Sequence, residues 1–146
     1  LGATQEKLLR AVLISDLITI HQKTGIGRLS AFCGATSAGI GAACGIAWLD
    51  GGDYEVIAHT IVNGLAILSG MVCDGAKPSC AAKIATAVRN GLLGYQMYRQ
   101  GCQFYGGDGI VTKGVENTIR AVSQIAREGM RGTDQEIIHL MIGGED

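Results

Sequence analysis

The sequence predicts an all-α fold: a compact bundle of about six helices, joined by short loops and packed closely through glycine. Three observations carry this. Apolar residues recur at spacings of three and four along most of the chain, and no stretch sustains the period-two alternation of a half-buried strand. Hydrophobic residues make up 47% of the 146 residues and charged residues only 17%, enough apolar material for one sizeable core. Glycine is abundant at 23 residues against a single proline. Many of these glycines fall inside helical stretches, where each costs about 1 kcal/mol relative to alanine and so needs a packing reason.

The elements follow in order. Leu8, Leu9, Val12, Leu13, Leu17 and Ile20 make a first helix that is apolar nearly all round, the pattern of a buried helix. It is expected to end near His21–Lys23, ahead of a glycine-punctuated loop, TGIGRLSAFCG. A second helix is expected from about Ala35 to Leu49, with Gly34, Ala38, Gly41 and Gly45 as a small-residue flank that lets another backbone approach. After the Asp50–Gly52 turn, a third helix runs from about Tyr54 to Ser69 on the stripe Ile57, Ile61, Leu65 and Leu68. Pro78 suits the first turn of a fourth helix, which carries Ile84, Val88, Leu92 and Tyr95 inward and ends near Gly101. Val115, Ile119, Val122 and Ala126 mark a fifth, closed by Gly129. Thr133 and Glu136 form a capping box that opens a last helix with Ile137, Ile138 and Met141 inward. The whole reads as a single helical domain over residues 1–146.

Composition narrows the function. The net charge is −1 and the lysines and arginines are scattered, so there is no basic stripe for nucleic acid. No apolar run reaches the roughly 18–20 residues that span a bilayer, and no signal-peptide pattern is present. The cysteine count is odd, at five, where secreted disulfide frameworks pair evenly. Together these predict a cytoplasmic protein with reduced or metal-bound cysteines.

The segment GMVCDGAKPSC, Gly70 to Cys80, asks for chemistry. Two cysteines seven apart enclose an aspartate, a lysine and the only proline, a mixture of little use to a core. Cys44 lies within an Ala/Gly helix and reads as a core residue, and Cys102 follows a helix-ending glycine without special context. Cys33, Cys73 and Cys80 each lie at or beside a predicted helix end. There, free N–H groups and a partial positive charge favour thiolate and suit an anionic iron–sulfide cluster. Spacing alone leaves three readings open, because no CxxC pair or usual zinc or ferredoxin spacing occurs. They are a metal or cluster site, a reactive thiol or labile disulfide, and inert cysteines.

TGIGRLSAFCGATSAGIGAACGIAWLDGG followed by GMVCDGAKPSCAAK, with DGI at Asp108–Ile110 and the later REGM and TDQEI, resembles the C-terminal region of the iron–sulfur L-cysteine desulfidases. These are part of the serine dehydratase α-chain-like group, which works without pyridoxal phosphate. The resemblance implies a [4Fe-4S] cluster held by Cys33, Cys73 and Cys80. It also implies β-elimination from a small amino acid, giving an aminoacrylate that collapses to pyruvate and ammonia. CDGAKPSC favours the desulfidase branch over the related L-serine dehydratases, although L-serine remains a possible substrate. Whole members of the group are much longer. The chain therefore looks like a cluster-binding domain that needs a missing N-terminal region, or a partner chain, to be active; a homodimer is also compatible. A cubane with one open corner, uncovered in this way, is expected to be lost in air. The expected end state is oxidation of the released thiols, with Cys73–Cys80 the favoured disulfide.

Supporting roles follow from residue type and place. Lys77, between two proposed ligands, is a candidate to bind a substrate carboxylate or to offset cluster charge. Thr24, Gly25 and Ser30 offer hydroxyl and backbone donors to an anion, and Asn63, four residues from His59, is a further substrate-binding candidate. Asp74 is expected to cap the loop by accepting backbone N–H groups. Lys83 reads as a surface residue, and His21 and His139 receive no role. The competing class of function is a non-catalytic helical module with a structural metal or a redox-active cysteine pair.

Overall fold

The computed structural model describes residues 2–143. It contains six α-helices and no strand among those residues: α1 (Gln5–Ile26), α2 (Gly34–Leu49), α3 (Tyr54–Leu68), α4 (Ser79–Arg99), α5 (Val115–Gln124) and α6 (Arg131–Met141). One π-helical turn, Ile125–Gly129, joins α5 to α6. The all-α prediction holds, and the core gathers Ile26, Phe32, Ile40, Leu65 and Val122 between the helices.

Glycine sets the interhelical distances. A Cβ on Gly41 would lie 2.3 Å from Thr19 Oγ1 and 2.5 Å from the Ser15 carbonyl oxygen, so α2 meets α1 backbone to backbone. On its other side α2 meets α4 in the same way, where a Cβ on Gly39 would lie 2.4 Å from the Ala87 carbonyl carbon. Of the predicted small-residue flank, Gly41 and Gly45 make such contacts, while Gly34 faces open space and Ala38 is exposed. Gly39→Ala is therefore expected to destabilise the fold by about 1–3 kcal/mol, because overpacking against backbone outweighs the gain in helix propensity. Gly132→Ala, which meets nothing within 4 Å in α6, should be neutral or gain up to about 1 kcal/mol. Urea unfolding of the two variants checks the pair.

Several boundaries and faces differ from expectation. The first helix does not stop at Lys23. It runs on to Ile26, where Gly27 at φ 98° ends it with its N–H on the Lys23 carbonyl. Nor is that helix buried all round. Ala11, Gln22 and Ile26 face the body, but Leu9, Leu13 and Ile20 are 62%, 57% and 60% exposed, since α2 and α5 cover only one flank. In α4 the buried face is Ala87, Gly91, Gly94 and Tyr95, and Ile84 points out. The backbones approach so closely there that only small residues fit, so small size marks the inner face better than apolarity. The Thr133–Glu136 capping box does not form, because α6 starts three residues earlier, directly off the π turn, with Met130 rather than Thr133 at its N-cap. Ile138 and Met141 are exposed rather than inward.

Candidate metal centre

The cysteine region is assembled by three contacts. Ser30 donates its hydroxyl to the Ala126 carbonyl of the π turn (2.7 Å) and accepts the Phe32 N–H (3.0 Å). Phe32 itself is buried. These bonds fix the chain just ahead of Cys33. Phe32 then forms an isolated antiparallel bridge with Val72. The Cys33 N–H donates to the Met71 carbonyl (3.0 Å) and the Cys73 N–H to the Ala31 carbonyl (2.6 Å). Residues one step either side of a bridged pair point to the opposite face from it. Cys33 and Cys73 are thus diagonal neighbours on one face, a relation that puts residues about 7–8 Å apart in regular pairs.

Cys80 joins from the first turn of α4, with its thiol directed to the Gly75 carbonyl (3.4 Å). Lys83, one turn later, reaches back: its ammonium donates to the Val72 carbonyl (2.9 Å) and pairs with Asp74. Asp74 also pairs with Lys77. The two lysines, Lys77 first and then Lys83, hold the Asp74 carboxyl well below its usual range, at about 2. Its pKa is depressed, so the pairing is intact above the ordinary carboxylate range and is lost only as pH falls through about 2. In turn the hydrogen bond to Asp74 raises the Lys83 pKa, against a smaller opposing effect of desolvation. Lys83 thus ties the first turns of α4, which carry Cys80, to the segment that carries Cys73.

Two expectations are corrected here. Lys83 is not a free surface lysine; its side chain is only 23% exposed and clamps α4 to the cysteine loop. Asp74 does not cap backbone N–H groups but neutralises two ammonium groups. Asp74→Asn should release the loop while leaving the helices in place. The expected result is a several-fold faster reaction of Cys73 and Cys80 with a disulfide reagent, read by peptide-resolved mass spectrometry, with circular dichroism unchanged.

The other candidates lie elsewhere or are engaged. Thr24 and Gly25 belong to α1, not to a loop. Thr24 donates its hydroxyl to the Ile20 carbonyl (2.7 Å). A Cβ on Gly25 would strike Ser123 of α5 at 2.3 Å. Both line a cleft of about 530 Å³ between α1 and α5 beside the His21–Glu116 pair, which is 2.9 Å apart. Ser30 is the clamp described above. Asn63 is fully buried, donating to the Gly94 carbonyl (3.0 Å) and accepting the Phe104 N–H (3.1 Å), so its amide ties α3 to α4 and to the loop after it. Its neighbour His59 stacks on Tyr98. Lys77 remains at the cysteine loop, held by Asp74. Cys44 is buried in the core, its thiol pushed up to about 12 by desolvation, and Cys102 is exposed.

The cysteine region fits an anionic cluster in its donor chemistry. Cys33 sits at the N-cap of α2 with no side chain capping the first turn, and Gly34 beside it faces open space. Cys80 lies in the first turn of α4, whose N-cap Pro78 is likewise without a side-chain cap. Lys83 and Lys77 add positive charge nearby. Among the described residues no three His, Cys, Asp or Glu side chains are gathered closely enough to hold a single metal ion. Thiolates on a cubane stand farther apart, about 6–7 Å given metal–sulfur bonds of about 2.3 Å.

Comparison with known proteins places the chain. It is 62% identical over 142 residues to a UPF0597 protein of Desulfitobacterium hafniense, covering 97% of this chain and 33% of that protein. It is 51% identical over 142 residues to a UPF0597 protein of Lachnoclostridium phytofermentans (97% and 34%). The identity to one of Treponema denticola is 48% over 139 residues (95% and 32%). The chain thus spans about a third of the length of the curated relatives it matches. No helix among the described residues is long and apolar enough to cross a membrane, and no solved structure matches the chain. Residues 1–139 match the serine dehydratase alpha chain family, and the chain belongs to that family.

Proposed function

We propose that this chain supplies the cluster-binding part of a pyridoxal-phosphate-independent lyase. Its reaction would be β-elimination from a small amino acid, L-cysteine before L-serine. The observation that carries the reading is the Phe32–Val72 bridge, which sets Cys33 and Cys73 on one face beside the start of α4, where Cys80 lies. Cys33, Cys73 and Cys80 hold a [4Fe-4S] cluster. When bound, the cluster supplies a Lewis-acidic iron for the departing sulfur or oxygen.

The chain's own residues do the rest of this half of the reaction. Lys83 stays on Asp74 and the Val72 carbonyl and keeps α4 docked on the loop. Lys77, with a side chain 45% exposed and a single carboxylate partner, exchanges Asp74 for the substrate carboxylate and orients the substrate. The α-proton goes to a base contributed by polypeptide outside this chain. Loss of that proton and of the β-sulfur as hydrosulfide, together one hydrogen sulfide, leaves aminoacrylate, and water then gives pyruvate and ammonia.

The test is a chimera in which this chain replaces the matching third of the Desulfitobacterium protein, reconstituted anaerobically. L-Cysteine is expected to yield sulfide and pyruvate in equal amounts, with Lys77→Ala raising KM more than it lowers kcat. Turnover of L-serine alone, without sulfide from L-cysteine, would assign the chain to the dehydratase branch instead.

A further inference from the structure

The outer flank of α1 is an apolar surface that the described residues leave largely uncovered. Leu8, Leu9, Val12, Leu13, Leu17 and Ile20 are each about half exposed or more, from 49% to 62%. Together they leave several hundred Å² of apolar surface open, the range in which a patch marks an interaction site. The flank is not featureless. At the N-terminal end of α1, Leu8 and Val12 join Ile46 and Leu49 of α2 around an apolar groove of about 190 Å³, deep enough to seat a side chain. Past its C-terminal end stands Leu29, 93% exposed. Asp16 is the charged residue within the stripe. The opposite flank of the same helix is already packed, backbone against backbone, on α2.

We infer that this flank is the docking surface for the remainder of the polypeptide found in the full-length relatives, and that α1 is a central helix of the complete protein. The length of that polypeptide chooses the occupant. The relatives carry about two-thirds of their length outside the matched region, and an exposed apolar flank of this extent on one helix marks a surface that is covered in the complete molecule. A segment on the same chain also acts at an effective concentration of millimolar order, which a second copy of this chain would rarely match. The inference concerns packing alone and holds whether or not a cluster is bound.

The test compares Leu13→Cys in two settings: this chain alone, and the Desulfitobacterium chimera described above. Both are kept metal-free under reductant. Maleimide labelling at position 13 is followed by peptide-resolved mass spectrometry. The chain alone should sediment as a monomer and label at the rate of an exposed thiol, and the chimera should label at least tenfold more slowly. Leu140→Cys, on exposed α6, is the measure of a solvent-facing thiol in the isolated chain. In parallel, Leu9→Gln, Leu13→Gln and Ile20→Gln combined should leave the melting temperature of the chain alone unchanged and lower that of the chimera by several degrees. Equal labelling in both settings, or a triple variant that leaves the chimera's melting temperature unchanged, would overturn the inference. So would a chain that dimerises on its own and loses the dimer in the triple variant, because the occupant would then be a second copy.

Discussion

Cys33→Ala, Cys73→Ala and Cys80→Ala should each cut the iron retained after anaerobic reconstitution to less than about a tenth of the wild-type value. Cys44→Ala and Cys102→Ala should leave it unchanged. The first three thiols come from segments held together by the Phe32–Val72 bridge and by the reach of Lys83 from α4 to the loop. Each is a separate corner of the proposed site, so none substitutes for another. Cys44 is sealed in the core with its thiol pushed up to about 12, which leaves no thiolate to bind at neutral pH. Cys102 lies past the C-terminal end of α4, whereas Cys80 lies at its N-terminal end. Iron and acid-labile sulfide analysis of the five variants reads the result, and circular dichroism confirms that each has folded.

The largest effect on stability is expected from Asn63→Asp. The native amide is fully buried and uses both ends, donating to the Gly94 carbonyl and accepting the Phe104 N–H. A carboxylate there loses the donor, faces the Gly94 oxygen with like polarity and is buried without a cation. Breaking a buried polar network in this way costs about 3–5 kcal/mol at neutral pH. The sign of the pH dependence follows. Burial raises the folded-state pKa of the new carboxyl, so its destabilising effect is greatest above that pKa. It recedes as pH falls, when the protonated carboxyl donates to Gly94 as the amide does. Urea unfolding between pH 5 and 8 should therefore show the variant gaining stability relative to wild type as pH falls. A flat difference would mean that water reaches the site.

The helices were legible where one periodicity dominated. In α3, Ile61, Leu65 and Leu68 are buried as their spacing requires. In α4 the rule misled, because Ile84 is outside while Ala87, Gly91 and Gly94 make the contact. An inner face chosen for closeness of approach is written in small residues, and apolarity counts then point to the wrong side. The burial predicted for α1 fails on one flank for a different reason: the helix carries an apolar surface that no element within residues 2–143 covers.

The cysteine region was legible in its residue types and helix-end positions, but not in what assembles it. Nothing local in the sequence announces that Phe32 pairs with Val72 across forty residues, or that Lys83 turns back to its own loop. The one available signal for Lys83 was its position three residues after Cys80, on the same side of α4. Thr24 and Ser30 read as hydroxyl donors to an anion and Asn63, four residues from His59, as a substrate-binding candidate. Each spends its hydrogen bonds on a carbonyl or an N–H of the scaffold, which is the commoner fate of buried or half-buried polar groups.

The proposed cluster site draws all three of its thiolates, Cys33, Cys73 and Cys80, from this chain. The most direct test is the iron and acid-labile sulfide content of the wild-type chain after anaerobic reconstitution and desalting. About four of each per chain are expected, with broad absorption at about 400 nm. Iron at or below one per chain without sulfide would contradict it.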